Sequence, residues 1–248
     1  RRMITMENRI YSKNINIEST HISLKSDINI DLTQLIKKER RIIQNTINSN
    51  PLFAGYKPVP IISDETILKL MTVAGEISDT GPMSSVAGSI SEVCLNYLIS
   101  KGSRFSIVEN GGDIALKTNR KVVIGVYAGD SSFSYNIGFK IKPRPHGYGI
   151  CTSSSAGPSK SFGKTDATIV FSRQSSISDS LATCIGNYGV GDCDDDIVHN
   201  ALTHAEDYHD YYDGVMVIKG EILGKTGHIP SLVKTSSKSY LGELFEIE

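Results

Sequence analysis

The chain has 248 residues, with 26 Lys and Arg against 27 Asp and Glu and a net charge of −1. A balance this close argues against a dedicated nucleic-acid binder, which carries a basic excess, and no apolar run approaches the roughly 20 residues of a membrane span. The length suits one large domain or two small ones, and no low-complexity linker divides it, so a single domain over 1–248 is expected.

From the N-terminus, Ile15–Lys25 alternates apolar and polar residues across a short turn and predicts a hairpin. Asp31 caps a helix that runs to about Asn48, with Leu32, Leu35, Ile36, Ile42, Ile43 and Ile47 as its apolar stripe. Asn50-Pro51 stops it, and Pro51, Pro58 and Pro60 mark a loop. A second helix spans Asp64 to Ala74. A third follows Gly81-Pro82, with Val86, Ile90, Val93, Tyr97 and Leu98 as its buried face and Gly102 as its end. Ala87, Gly88 and Ser91 keep part of that helix slim, so another backbone or a ligand can approach closely.

Strands are predicted at Phe105–Glu109, Asp113–Thr118, Lys121–Tyr127, Tyr135–Ile141, Tyr148–Thr152 and Ala167–Phe171. Asp195–Tyr208 reads as a helix, and Asp213–Ile218 with Glu221–Lys225 as a last hairpin turning at Lys219-Gly220. Helices and antiparallel hairpins in mixed order predict an α+β fold. The segment RRMITMENRIYSKN has no apolar core of a secretory signal. The cysteines Cys94, Cys151, Cys184 and Cys193 form no CxxC pair. A cytoplasmic protein with reduced thiols and no zinc site is therefore expected.

Chemistry concentrates between Gly149 and Asn187. A hydroxyl-rich loop from Thr152 to Ser161, a β-branched strand and the helix mouth at Ser175–Asp179 are parts that bind phosphate-bearing ligands. On that helix Ile177, Leu181 and Ile185 share one face. Asp179, Thr183 and Asn187 fall about 200° away and are all oxygen-bearing. A carboxylate one turn before a hydroxyl is half a site for a hard cation such as Mg²⁺. The alternative is that Asp179 only serves the helix dipole.

Other signals fail on spacing. Gly163-Lys164-Thr165 and Gly224-Lys225-Thr226 lack the upstream glycine and the following helix of a P-loop. Asp192–Asp196 has Ile197 and Thr203 where a calcium loop needs Gly and Glu, so it reads as an acidic turn and helix cap. His199, His204 and His209 are five apart and point about 140° from one another on a helix.

Three stretches together resemble the ApbE-like family, flavin transferases that take FAD and attach FMN to a protein Ser or Thr. They are Val108-Glu-Asn110-Gly111-Gly112-Asp113-Ile114, Cys151-Thr152-Ser153 and Asp179-Ser-Leu-Ala182-Thr183. The resemblance implies a T-fold-type architecture of two related β-α-β modules and a small phosphorylated ligand, FAD or a related nucleotide. It implies Mg²⁺ at Asp179, Ala182 and Thr183, held against the pyrophosphate. Asn110, Gly111, Gly112, Thr152, Ser153, Ser154 and Ser155 would line the nucleotide, the last four cradling phosphate. Asp113 and Asp179 would be the catalytic carboxylates, Asp113 orienting the site or accepting a ligand hydroxyl.

The chain departs from the transferases in two places. Ala87-Gly88 stands where they carry Lys-Gly, and Ser161–Asp166 holds neither the His nor the Pro of their following segment. With Gly81-Pro82-Met83, these residues resemble a side branch of the superfamily. Mg²⁺-assisted cleavage or transfer on a nucleotide pyrophosphate is the expected activity. Non-catalytic binding of a flavin or nucleotide is the alternative, and a domain that has kept only the fold is a third.

Overall fold

The computed structural model describes residues 9–155, 161–235 and 245–247. Alternating side chains build its first hairpin. Strands β1 (Tyr11–Ile17) and β2 (Thr20–Ser26) pair antiparallel with Ile15 opposite Ile22, as their alternation predicts. Three helices follow: α1 (Thr33–Ser49), α2 (Thr66–Ser78) and α3 (Val86–Ser100). The chain returns as β3 (Ser106–Asn110), antiparallel to β2, and turns at Gly111-Gly112 into β4 (Asp113–Thr118). The φ angles there, 64° and 103°, lie where glycine is favoured.

Strands β5 (Val122–Gly125) and β6 (Ile137–Ile141) then leave for a second sheet. The first sheet resumes with β7 (Arg144–Ser153) and β8 (Ala167–Ser172), helices α4 (Ser175–Asn187) and α5 (Asp194–Ala205), and the hairpin of β9 (Gly214–Lys219) and β10 (Ile222–Gly227). Its order is β1-β2-β3-β4-β7-β8-β9-β10. Short strands β11 (Ser231–Lys234) and β12 (Phe245–Ile247) flank β6 and β5 in the smaller sheet.

The expected α+β class holds, with one refinement. Each half of the large sheet has two hairpin-forming strands before its helices and two after them, and every pairing is antiparallel. The order ββ-helices-ββ thus occurs twice along the chain.

Strand alternation sorts the core into two layers. Ile107, Leu116, Phe171 and Met216 point to the small sheet and pack with Val122, Ile124, Phe139 and Ile141. Val108 and Ala115 point to α1–α3, and Val170, Val215 and Val217 to α4 and α5. The large sheet is thus covered on both faces.

Helix α3 is buried more widely than its stripe predicts. Cys94 and Leu95 join Ile90 and Leu98 in the core, whereas Tyr97 is exposed. The further side belongs to α4. Glu92 accepts the Ser176 N–H at 2.9 Å, the Ser176 hydroxyl at 2.7 Å and the Gln174 side-chain amide at 3.1 Å. A carboxylate from another helix therefore satisfies the N-terminus of α4 and complements its dipole.

The junction of β7 with α4 gives a direct test of packing. A Cβ on Gly149 would lie 2.5 Å from the Ser175 Cα and 2.6 Å from its nitrogen, whereas one on Gly147 would meet its nearest atom at 3.6 Å. We expect Gly149→Ala to cost about 1–3 kcal/mol or more, because backbone must move, and Gly147→Ala to be neutral or stabilising by up to about 1 kcal/mol. Urea unfolding of both variants checks the contrast.

Candidate functional site

Helix α4 presents its polar stripe to a cavity. Leu181 and Ile185 sink into the layer above Val170 and Val215. On the other side Asp179, Thr183 and Asn187 line a cavity of about 400 Å³. Its other walls include the N-terminal end of α3 (Val86, Ala87) and the segment before it (Met83, Ser84), the end of β3 with its turn (Asn110, Gly111), Ser19 and the loop at Ala54–Tyr56. Asp179 is the only charged residue among the described residues of that lining.

Close approach of α3 and α4 fixes Asp179. The Gly88 N–H donates to Asp179 Oδ2 at 2.7 Å, and the Ser175 hydroxyl donates to the Gly88 carbonyl at 2.7 Å. A Cβ on Gly88 would fall 2.3 Å from the Ser175 oxygen and 2.7 Å from the Asp179 Cβ, so only glycine lets this amide reach the carboxylate. Asn110 Nδ2 holds the preceding peptide from the opposite side by donating to the Ala87 carbonyl at 3.3 Å.

Asp179 is the fifth residue of α4 and only 3% exposed, so it is not a cap; Glu92 has that role. Burial pushes its carboxyl well above the usual carboxylate range, and the neighbouring Asp113 charge pushes it further, against the lowering effect of the Gly88 N–H. Asp113 is completely buried, and Ser91 donates to its carbonyl at 2.9 Å. The Cys151 thiol hydrogen-bonds Asp113 and donates to the Ser175 carbonyl at 3.3 Å. Burial and the two carboxylates raise that thiol as well.

The structure thus brings Asp179, Thr183, Asn110 and Gly111 to one cavity, with Gly112 in the adjoining turn and Asp113 behind Asp179. It does not bring Thr152, Ser153, Ser154 or Ser155 to that lining. The expected loop begins later than Thr152: Thr152 and Ser153 finish β7, opposite Ile169 and Thr168. The Ser155 N–H donates to the Thr165 carbonyl and the Ser154 carbonyl accepts from Ser161, so this backbone is spent on the fold. Residues 156–160 of that expected loop lie outside the described residues. Ala182 is fully buried among Val170, Leu181 and Val215, which leaves its main-chain carbonyl as its one oxygen.

Lys164 turns away from the cavity and donates to the Gly191 carbonyl at 3.2 Å, and Gly224–Thr226 lies in β10; neither glycine-lysine-threonine forms a phosphate loop. Asp194, Asp195 and Asp196 form the first turn of α5, as a helix-capping acidic run should. No group of three or more His, Cys, Asp or Glu fit to hold a metal occurs among the described residues, and the cysteines are free. No described helix is long and apolar enough to cross a membrane.

Tyr56 and Phe162 were invisible to pattern reading. They line the cavity from two loops, both largely exposed, with rings edge to face at 5.3 Å. Asn187 accepts the Phe162 N–H at 2.6 Å, which ties that loop to the polar stripe.

A family model described as AbpE bacteria matches residues 9–226. The chain belongs to this family. It is 64% identical over 243 residues to a UPF0280 protein of Methanosphaera stadtmanae, covering 98% of this chain and 99% of that one. A UPF0280 protein of Methanococcus aeolicus is 47% identical over 247 residues, covering 95% and 98%. Among solved structures, the apo flavinyl transferase ApbE of Pseudomonas stutzeri aligns with a TM-score of 0.54 at 11% identity, over 90% of this chain and 96% of that one. The ApbE protein of Thermotoga maritima aligns at 0.57 and 11%, over 88% and 97%. The structural matches establish a shared fold. Together with the family match they bear out the ApbE-like membership read from three short motifs, and the UPF0280 relatives fit a side branch.

The buried carboxylate makes stability depend on pH. The unfolded Asp179 titrates near 3.8 and the folded one higher. Between those values the unfolded chain releases a proton that the folded chain retains, so rising pH favours unfolding. In EDTA, Asp179→Asn keeps an acceptor for Gly88. It should match wild type below about pH 3.5 and exceed it near pH 7. Thermal unfolding across that range checks it; a wild type more stable than the variant at neutral pH contradicts it.

Proposed function

We propose that this cavity binds a nucleotide pyrophosphate together with Mg²⁺, with FAD or a related flavin nucleotide as ligand, and acts on the pyrophosphate by cleavage or transfer. One observation carries the reading. Among the described residues, the cavity's one charged side chain is a buried carboxylate beside a second one, and no cation lines it. A phosphate anion beside the ionised Asp179 carboxylate is repelled unless a cation lies between them. The Asp179 carboxylate and the Thr183 hydroxyl, one turn apart, are hard oxygen donors of the type Mg²⁺ takes, and a divalent ion would relieve the repulsion that raises the Asp179 pKa.

Asp179 and Thr183 would hold the ion, and Mg²⁺ when bound supplies polarisation of a phosphoryl oxygen. The chain's own residues do the rest. Gly88 holds one Asp179 oxygen still, Asp113 adds negative potential behind the donor, and Asn110 and Gly111 border the ligand. We further read the two ββ-helices-ββ halves as the T-fold-type duplication that the ApbE resemblance implies. A flavinyl transferase such as the Pseudomonas stutzeri protein is the nearest activity in kind.

A specific observation favours a second reading. No described Lys, His or Arg lines this cavity, and Ala87 stands where the resemblance places a lysine. That lining suits a non-catalytic holder of the same ligand.

Calorimetric titration with FAD, with and without Mg²⁺, followed by chromatography of the mixture, separates these readings. Binding that EDTA abolishes is expected in wild type. Asp179→Asn should lose at least tenfold in affinity, about 1.4 kcal/mol, and Thr183→Ser should retain more than Thr183→Ala. Appearance of FMN and AMP establishes catalysis, and an intact FAD peak the holder. Binding indifferent to EDTA would refute the metal site.

A further inference from the structure

The cavity continues into a second chamber of about 210 Å³. The two share Ser19, Met83, Val86, Ala87 and Asn110 in their walls, so they form one cleft. Ile43, Ile47 and Ile90 make the second chamber's apolar side, and Arg40 and Gln44 of α1 its polar side. Arg40 is the only cation among the described residues lining either chamber. The cleft is therefore bipolar, with a carboxylate in one chamber and a guanidinium in the other.

The guanidinium is held ready. Nη1 donates to the Thr20 hydroxyl at 2.6 Å and to the Ser19 hydroxyl at 3.3 Å, and the Arg40 side chain is 22% exposed. Its counterion is Glu18, through Nη2. Glu18 is a weak occupant: its side chain is 79% exposed and its backbone has φ of 51°, the left-handed region that a non-glycine residue disfavours. An exposed carboxylate gains little from such a pair. A phosphate offers the same planar fork more acceptor oxygens and more charge.

We infer that Arg40 is the receptor for a second phosphate of the ligand, which Glu18 covers until that phosphate displaces it. This rests on the reading of the first chamber as a Mg²⁺–phosphate site. It narrows the ligand to a nucleoside diphosphate or a dinucleotide joined through a pyrophosphate, as against a nucleoside monophosphate. One phosphate lies at Asp179 and Thr183 with the cation, and the next faces Arg40.

ADP and AMP are sufficient probes, titrated calorimetrically into the full chain with Mg²⁺. Wild type should bind ADP more tightly than AMP. Arg40→Gln should lose tenfold or more for ADP and less than threefold for AMP, with Arg40→Lys between. Glu18→Gln, an exposed position, should bind ADP several-fold more tightly than wild type. A pair that only fastens the β1–β2 turn to α1 gives the opposite: Glu18→Gln lowers thermal stability and leaves ADP affinity unchanged or weaker, which overturns the inference. Equal losses for ADP and AMP in Arg40→Gln overturn it too. EDTA-sensitive ADP binding indifferent to both substitutions removes Arg40's role while leaving the metal reading intact. Absence of ADP and AMP binding in wild type overturns this inference and leaves the first-chamber reading to the FAD titration.

Discussion

The hydrogen bond from the Gly88 amide to Asp179 joins residues 91 positions apart, and the site depends on it. It forms because Gly88 lacks the Cβ that would strike Ser175. One turn along α3, Glu92 returns the exchange by binding the first residues of α4. Each helix thus supplies what the other lacks. The amide steadies a buried charge, and the carboxylate satisfies an orphan helix terminus. The two contacts lock the helices in register, which sets Thr183 and Asn187 on the cavity wall.

This lock has a thermodynamic consequence. Asp113 and Asp179 are buried close enough to repel, and one amide cannot offset both desolvation and that repulsion. A site selected for stability alone would replace such a carboxylate with an apolar or neutral side chain. Keeping it makes sense where a cation or a proton completes the arrangement, since strongly perturbed groups in a cleft mark working positions. The Cys151 thiol deepens the point. It lies beside both carboxylates, and burial and their charges raise it as well.

How much could be read from the sequence varies by element for physical reasons. Hairpins and helices came through where one face is buried, because periodicity records burial: Ile15 against Ile22, or Ile36 and Ile43 on α1. The start of β7 did not, because Arg144-Pro-His-Gly147 carries turn-forming residues at a bulged, partly exposed end. β11 and β12 are short strands that take their pairing from β6 and β5, and the sheet overrides weak local preference. The same override carries the strand predicted to end at Thr152 one residue further, to Ser153. Hydroxyl residues look like a loop, yet Ile169 and Thr168 offered them a ladder. In the site, the α4 stripe was legible because its spacing is local. Gly88 was legible as a point of close approach, though not that Asp179 would meet it; Tyr56 and Arg40 reach the cleft from other elements, and nothing in one helix's periodicity encodes which distant residue will face it.

Both halves of the chain build the cleft. The first half contributes α3, the Gly111 turn and, through α1, Arg40; the second half contributes α4. The cleft therefore lies at the seam between two antiparallel units that sit side by side in one sheet. A ligand spanning it must touch both halves, and its binding free energy is also free energy holding α3 against α4. The seam is held by the antiparallel pairing of β4 with β7 and by the Gly88 and Glu92 hydrogen bonds between α3 and α4, with a buried carboxylate working against the latter.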